Sequence, residues 1–355
     1  MYSGIYRNNR VFITGHTGFK GSWLTAYLSL LGAEIAGFSQ NIPTQPAHFT
    51  LLKPNLCRDL RGDVNDFNAV KQAVADFAPD ILFHLAAQPI VRRSYDFPLQ
   101  TFQTNILGTA NVLEAALQTP SVRAVIVITT DKCYINRNEN TAPFVESDTL
   151  GGSDPYSASK ACAEIIADSY RQRTDIPLAT CRSGNAIGGG DWAVDRLMPN
   201  MMRSVNGESM KIRMPAATRP WQFVLEPLHG YLLLGEKMLD GEMLDGETND
   251  RQSYGECWNF GPALEDNVSV KRFAELTAKC WDKIRCETET IPDESRREAA
   301  LLMLDSSKAH RRLHWQPVWS LEQSIAETVR WYRDFDAAGT VRTQEQIEMY
   351  LSRCV

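Results

Sequence analysis

Short apolar runs alternate with longer stretches of helical period through the first half of the chain. Val11–Thr14 is β-rich and leads into glycines, then into an apolar helical stretch from Trp23 to Leu31 that Gly32 would end as a C-cap. The rhythm then repeats. Glu34–Phe38 reads as a second strand, a third precedes Gly62, and Asp66–Phe77 has helical period. Ile81–Leu85 follows as a strand, Thr101–Leu117 as a helix, Ala124–Thr129 as a strand, Pro155–Arg171 as a helix and Leu178–Arg182 as a strand. Apolar strands alternating with amphipathic helices predict a doubly wound α/β fold, a parallel sheet covered on both faces.

After Gly184 the texture changes. Gly188–Gly190 and the prolines at 199, 215 and 220 break the alternation, and Phe223–Lys237 has the period of a helix that could return to the sheet. The sequence Met-Leu-Asp-Gly-Glu at 238–242 recurs at 243–247, as expected of a short duplication in a solvated acidic loop. The expected division is residues 1–183, with a return segment at about 223–250, as the sheet domain. Residues 184–222 and 251–355 then form a smaller mixed α/β domain closing over the sheet's carboxyl edge, where such folds bind ligands.

The 355 residues carry 37 Lys and Arg against 43 Asp and Glu, a formal charge of −6 that argues against nucleic acid as a partner. Apolar runs are too short for a bilayer span, and the polar first ten residues lack a signal core. Eight scattered cysteines without a CxxC pair suit reduced thiols in a cytoplasm, and six dispersed histidines predict no metal site.

Chemistry enters with Thr14-Gly15-His16-Thr17-Gly18-Phe19-Lys20-Gly21, between the first strand and first helix. Gly15 permits a tight turn, Gly18 a close approach of backbone to pyrophosphate, and Gly21 close helix packing; the helix N-terminus offers N–H groups to the anion. Gly15, Thr17, Gly18, Phe19, Lys20 and Gly21 are therefore expected around a dinucleotide in a Rossmann-type domain. Gly37–Asn41 holds neither a ribose-binding carboxylate nor an arginine for a 2′-phosphate, which leaves NAD as the expected cofactor. Asp63, beside Val64, could accept from an adenine amine or simply cap the next helix. Leu85, Ala86 and Ala87 leave room at a strand tip for a cofactor, with Gln88 following; Asn105 could brace nearby backbone or face solvent.

Asp154-Pro155 suits a helix start, and Tyr156 and Lys160 then share one helix face. An ammonium beside the phenol, with a nicotinamide cation, would lower its pKa from about 10 toward neutrality and make it a base. A plain amphipathic pair would look the same. The order of motifs raises the signal: glycine turn, then Thr129-Thr130-Asp131 at a strand tip, then Tyr-x-x-x-Lys.

That order resembles the extended short-chain dehydrogenase/reductase family. Thr129–Tyr134, Arg182–Trp192, Arg219–Pro227 and Trp258–Pro262 resemble, within it, nucleotide-sugar 4,6-dehydratases that act on CDP-D-glucose. Lys132 is the distinguishing letter, since related hexose-nucleotide dehydratases carry glutamate there. Phe223 and Ile135 depart from the pattern, where a histidine and an acid are usual.

The resemblance implies an NAD-dependent hydro-lyase forming CDP-4-dehydro-6-deoxy-D-glucose and water, for deoxysugar and lipopolysaccharide biosynthesis. It implies Tyr156 as the base at the C4 hydroxyl, Thr130 on the C4 oxygen, Asp131 as the acid at C6, Lys132 as the candidate C5 base and Lys160 on the ribose. Gln88, Asn185, Asp191, Trp192, Arg196, Arg219 and Trp221 are expected toward the nucleotide-sugar. Arg219 suits a diphosphate, while packing is the commoner use of the two tryptophans. A homo-oligomer, dimer or tetramer, is expected through the faces of 101–117 and 155–171. A 4-epimerase, another nucleotide-sugar dehydratase and a non-enzymatic NAD-binding regulator remain as alternatives.

Overall fold

The computed structural model describes residues 2, 4–137, 142–207, 209–212, 214–240, 251–288 and 301–354. The first six strands of the main sheet are β1 (Arg10–Thr14), β2 (Glu34–Ser39), β3 (Arg58–Arg61), β4 (Ile81–His84), β5 (Ala124–Ile128) and β6 (Leu178–Ser183); all but the charged, largely exposed β3 arise from apolar runs. The short β7 (Asn185–Ile187), β8 (Met210–Ile212) and β9 (Thr218–Phe223) follow, then β10 (Cys257–Phe260), β11 (Asn267–Ser269) and β12 (Cys286–Thr288). The seven-stranded sheet runs β10-β6-β5-β4-β1-β2-β3, and every neighbouring pair is parallel. Its strand order reverses beside β1, so the carboxyl ends of β1 and β4 flank the crevice where doubly wound sheets take ligands.

The helices are α1 (Phe19–Leu30), α2 (His48–Leu51), α3 (Phe67–Phe77), α4 (Val91–Asp96), α5 (Pro98–Phe102), α6 (Gly108–Leu117) and α7 (Pro155–Arg171). After them come α8 (Leu197–Arg203), α9 (Leu225–Asp240), α10 (Val270–Cys280), α11 (Ser307–Leu313), α12 (Leu321–Ala338) and α13 (Thr343–Leu351). Val70, Val74, Val112 and Leu113 of α3 and α6 cover one sheet face against Phe12 and Leu82; Trp23 and Tyr27 of α1 and Leu228 and Tyr231 of α9 cover the other. α9 is the returning helix expected near 223–237.

Two expectations change. The helix foreseen at 101–117 is interrupted, because Gln103–Leu107 winds wider than an α-helix between α5 and α6. Such local widening often marks functional positions, and here it carries Asn105. Strand β10, from within the 251–355 span, adds an edge to the main sheet on β6. β9 pairs with β7 and β11 in a separate three-stranded sheet, and β8 pairs with β12. The repeat at 243–247 lies outside the described residues.

Candidate active site

The turn between β1 and α1 needs its glycines. Gly15 has φ +77°, and a Cβ there would meet Ala86 N at 2.7 Å. One on Gly21 would stand 2.1 Å from Gly15 O, so these positions admit no larger residue. Gly18 begins α1 with no side-chain cap, leaving the helix's first turn open to an anion. This cradle fits a dinucleotide pyrophosphate. Leu85 and Ala86 crowd against Gly15, and Thr17 Oγ1 donates to Asn41 O at 2.7 Å, which shapes the loop after β2. Phe19 packs beneath, close to Gly188.

At the β2–β3 edge, Asp63 does two local jobs. Its Oδ2 accepts from Gln40 Nε2 at 2.9 Å, and its Oδ1 accepts from Asn65 N at 2.9 Å. Capping of α3 falls instead to Asp66, which accepts from Ala69 N. Val64 is buried beneath Gly108. Asn105 is not solvent-facing: it is 1 % exposed, accepts from Gln88 N at 2.8 Å and donates to Gln88 O and Ser159 Oγ. It ties the β4 tip to α7. Gln88 is itself spent internally, its amide nitrogen donating to Ile90 O and Thr101 Oγ1 and its oxygen accepting from Ile90 N.

α7 starts where the sequence places it, with Asp154 accepting from Ser157 N and Pro155 in the first turn. Tyr156 and Lys160 lie one turn apart and are both buried. Lys160 Nζ donates to Ile128 O, the last residue of β5, at 3.0 Å. The expected lowering of the phenol is not found. Burial pushes Tyr156 up to about 12, opposed by its hydrogen-bonded contact with Thr130 and by Arg196. Lys160, desolvated, drops to about 8 although Glu164 pulls the other way.

Thr130-Asp131-Lys132 forms a tight turn at the tip of β5. Asp131 is 1 % exposed; its Oδ1 accepts from Thr130 Oγ1 at 2.9 Å, and Lys132 Nζ stands 3.9 Å from the same oxygen. Its Oδ2 is buried and has no hydrogen-bond partner among the described residues. A carboxyl oxygen withheld from both water and protein is costly unless a ligand meets it.

Behind this turn is a polar network that sequence reasoning missed. Glu164, one turn beyond Lys160, accepts from Thr129 Oγ1, from Thr180 Oγ1 at 2.7 Å and from Arg182 Nη2 at 2.8 Å. Burial alone would raise Glu164, but Arg182's charge and these donors hold it below the usual carboxylate range. Arg182 also donates to Tyr134 Oη at 2.8 Å, and Tyr134 donates to Asn259 Oδ1 at 2.7 Å. The available signal was the spacing 156, 160, 164 on one helix face.

The residues expected toward substrate divide. Asp191 accepts from Arg196 Nη1 at 2.9 Å and from Ala193 N, and Arg196 lies close enough to Tyr156 and Lys20 to influence both. Asn185, on β7 opposite Trp221, is half-buried at the carboxyl edge. The tryptophans are packing residues. Trp192 sits edge-on to Trp331, Tyr332 and Phe335, and Trp221 stacks on Phe273 with ring centroids 4.1 Å apart. Arg219 is buried and donates to Thr218 O. Phe223 is wholly buried between Trp23 and Trp319, so its departure from a polar residue is a core choice.

The family model described as GDP-mannose 4,6-dehydratase matches residues 12–328. The CDP-glucose 4,6-dehydratase of Salmonella typhimurium is 40% identical over 342 residues, 92% of this chain and 91% of that protein. The dTDP-glucose 4,6-dehydratase of Haemophilus influenzae is 27% identical, covering 91% of this chain and 97% of its own. Among solved structures, the dTDP-glucose 4,6-dehydratase of Streptomyces venezuelae with NAD bound superposes with a TM-score of 0.77 at 22% identity, covering 92% of this chain and 98% of that one. An epimerase of Methanothermobacter thermautotrophicus reaches 0.80 at 22% identity, covering 98% and 96%, a likeness of fold.

Proposed function

This chain belongs to the GDP-mannose 4,6-dehydratase family, and from that premise we propose that it converts CDP-D-glucose to CDP-4-dehydro-6-deoxy-D-glucose and water with NAD as a resident cofactor. The observation that carries the reading is the buried, unpartnered Oδ2 of Asp131, held beside Thr130, Lys132 and Tyr156. The likeness to the Salmonella enzyme favours cytidine over other bases.

Gly15, Thr17, Gly18, Phe19 and Gly21 would hold the pyrophosphate; Asp63 and Val64 lie toward the adenine end, and Lys160 toward the nicotinamide ribose. Bound NAD supplies an acceptor and donor of hydride between C4 and C6 and, when oxidised, a positive ring that counters the burial of Tyr156. Tyr156 takes the C4 hydroxyl proton while Thr130 hydrogen-bonds the same oxygen. Once C4 is a ketone, the C5 proton is acidic, and Lys132 removes it while Asp131 gives its proton to the departing C6 hydroxyl. Two groups less than 4 Å apart thus act as acid and base on adjacent carbons. Asn185, Arg196 and Arg219 would meet the nucleotide-sugar, with Asp191 acting through Arg196.

A 4-epimerase shares the oxidation at C4 but returns the hydride to C4 and has no use for an acid at C6, so Asp131 with Lys132 argues for dehydration. The product would serve deoxysugar assembly for surface polysaccharide in the cytoplasm; among the described residues no helix is long and apolar enough to cross a membrane. Exposed Leu99, Leu107 and Ile165 on α5–α7 mark the face for a homodimer. A panel of CDP-, dTDP-, UDP- and GDP-glucose, read by the alkaline absorbance of a ketosugar, tests the reading; product from CDP-glucose is expected, and none from any of the four would overturn it.

A further inference from the structure

We propose that Glu164 and Arg182 are positioning residues for the elimination half of the reaction, each gripping one flank of the turn that carries Asp131 and Lys132. The inference rests on the dehydratase reading above and adds to it two buried residues that act through that turn. Glu164 holds the entry to the turn, accepting from Thr129 Oγ1. Arg182 holds the exit: its Nη1 donates to Tyr134 Oη at 2.8 Å, and the guanidinium stands 4.9 Å from the centre of that ring. The two grips form one unit, because Arg182 Nη2 also donates to Glu164 Oε2 at 2.8 Å.

The turn needs holding from outside. Within it, Cys133 N reaches Thr130 O and Lys132 N reaches Thr130 Oγ1 at 3.4 Å each, the long end of hydrogen bonding. The grips are firmer, since bonds to charged groups are the stronger kind, and Thr180 Oγ1 steadies the carboxylate at 2.7 Å. Tyr134 is fixed again beyond Arg182. Its ring stacks on Phe144 at 4.8 Å, and its Oη donates to Asn259 Oδ1 at 2.7 Å; the Asn259 amide nitrogen donates to Phe144 O and Asp305 O.

The two halves of the reaction depend on the turn unequally. Tyr156 sits on α7, whose start is fixed separately by Asp154 on Ser157 N and by Ser94 Oγ, which accepts from Tyr156 N at 3.1 Å. Loss of the C4 hydroxyl proton therefore draws on the turn through Thr130 alone. Elimination draws on it for both acid and base. The C5–H bond gives its proton to Lys132, its electron pair forms the C5–C6 double bond, and the C6 hydroxyl leaves as water with the proton of Asp131. Misplacing such groups by about 1 Å costs a factor of up to about 10².

Changing either charge of the pair strands the other and costs stability, so the test removes the grips instead. Thr129→Val deletes one hydroxyl and Tyr134→Phe the other at nearly constant volume, and thermal unfolding checks that each variant folds. In single turnovers with CDP-glucose, C4 oxidation is read as the rise of NADH absorbance and the later steps as its decay. Both variants are expected to keep the rise within about threefold and to slow the decay by about tenfold or more. Rise and decay slowed equally, or neither slowed, would leave the pair a merely structural role and overturn the proposal. Slow decay in Tyr134→Phe alone would point to the phenol itself and overturn it as well. If the unaltered chain oxidised no CDP-glucose, the dehydratase reading itself would fail.

Discussion

Glu164 and Arg182 meet at 2.8 Å between α7 and β6, each 3 % exposed, and the carboxylate also takes hydrogen bonds from Thr129 and Thr180. The pair therefore fixes residue 129 at the root of the Thr130–Lys132 turn and faces Lys160 from one helical turn away. Removing one partner of a buried pair strands the other charge, so Arg182→Met should cost about 3–5 kcal/mol, read by urea unfolding. The sign with pH is set by Glu164, whose carboxyl is held low in the folded chain. Its contribution is complete above the ordinary glutamate pKa and is lost as pH falls through the lower, folded value. The unaltered protein should show this acid-side loss, and Glu164→Gln should reduce it.

Tyr156→Phe removes the phenol from a buried helix position without opening a large cavity. Turnover should fall by about 10²–10⁴, as for loss of a positioned base. NAD affinity and thermal stability should stay close to those of the unaltered chain. Activity near the original level would take the C4 proton away from Tyr156.

Gly21→Ala is the sharper test of the cradle, because its Cβ would fall 2.1 Å from Gly15 O, a backbone atom that cannot swing aside. The variant should lose measurable NAD binding, seen as loss of the thermal shift that NAD gives the unaltered protein. Retained binding would place the cofactor elsewhere.

Lys132→Met, incubated with CDP-glucose in deuterated water, should stall after C4 oxidation. NADH and 4-ketoglucose should accumulate, with little deuterium at C5. Rapid exchange at C5 would assign that proton to another base, with a bound water next in line, because Tyr134 is buried and bonded to Arg182 and Asn259.

The sheet was legible because strand alternation and glycine placement are local signals: Val11–Thr14, Ile81–Leu85 and Pro155–Arg171 sit where periodicity put them, within a residue or two. The glycine turn was legible for the same reason, since Gly15 and Gly21 answer to backbone contacts a few residues away and across one strand. The widened turn at Gln103–Leu107 was not, because its hydrophobic period continues straight through the irregularity. Partners distant in sequence were equally hidden. Nothing in the glycine motif says that Lys20 reaches Ser183, 163 residues on, or that Glu164 will find Arg182. Gln88 was misleading in the other direction: a polar residue at a strand tip suggests substrate, yet its amide is used up by Ile90 and Thr101.

The central claim is a dehydration whose hydride never leaves the protein. CDP-D-glucose carrying deuterium at C4 tests it in one measurement, with NAD present only in the amount the protein binds. The account predicts a 4-dehydro-6-deoxy product with the deuterium in its C6 methyl group and no net NADH. Recovery of intact hexose inverted at C4, or oxidation that consumes one NAD for each sugar, would contradict it.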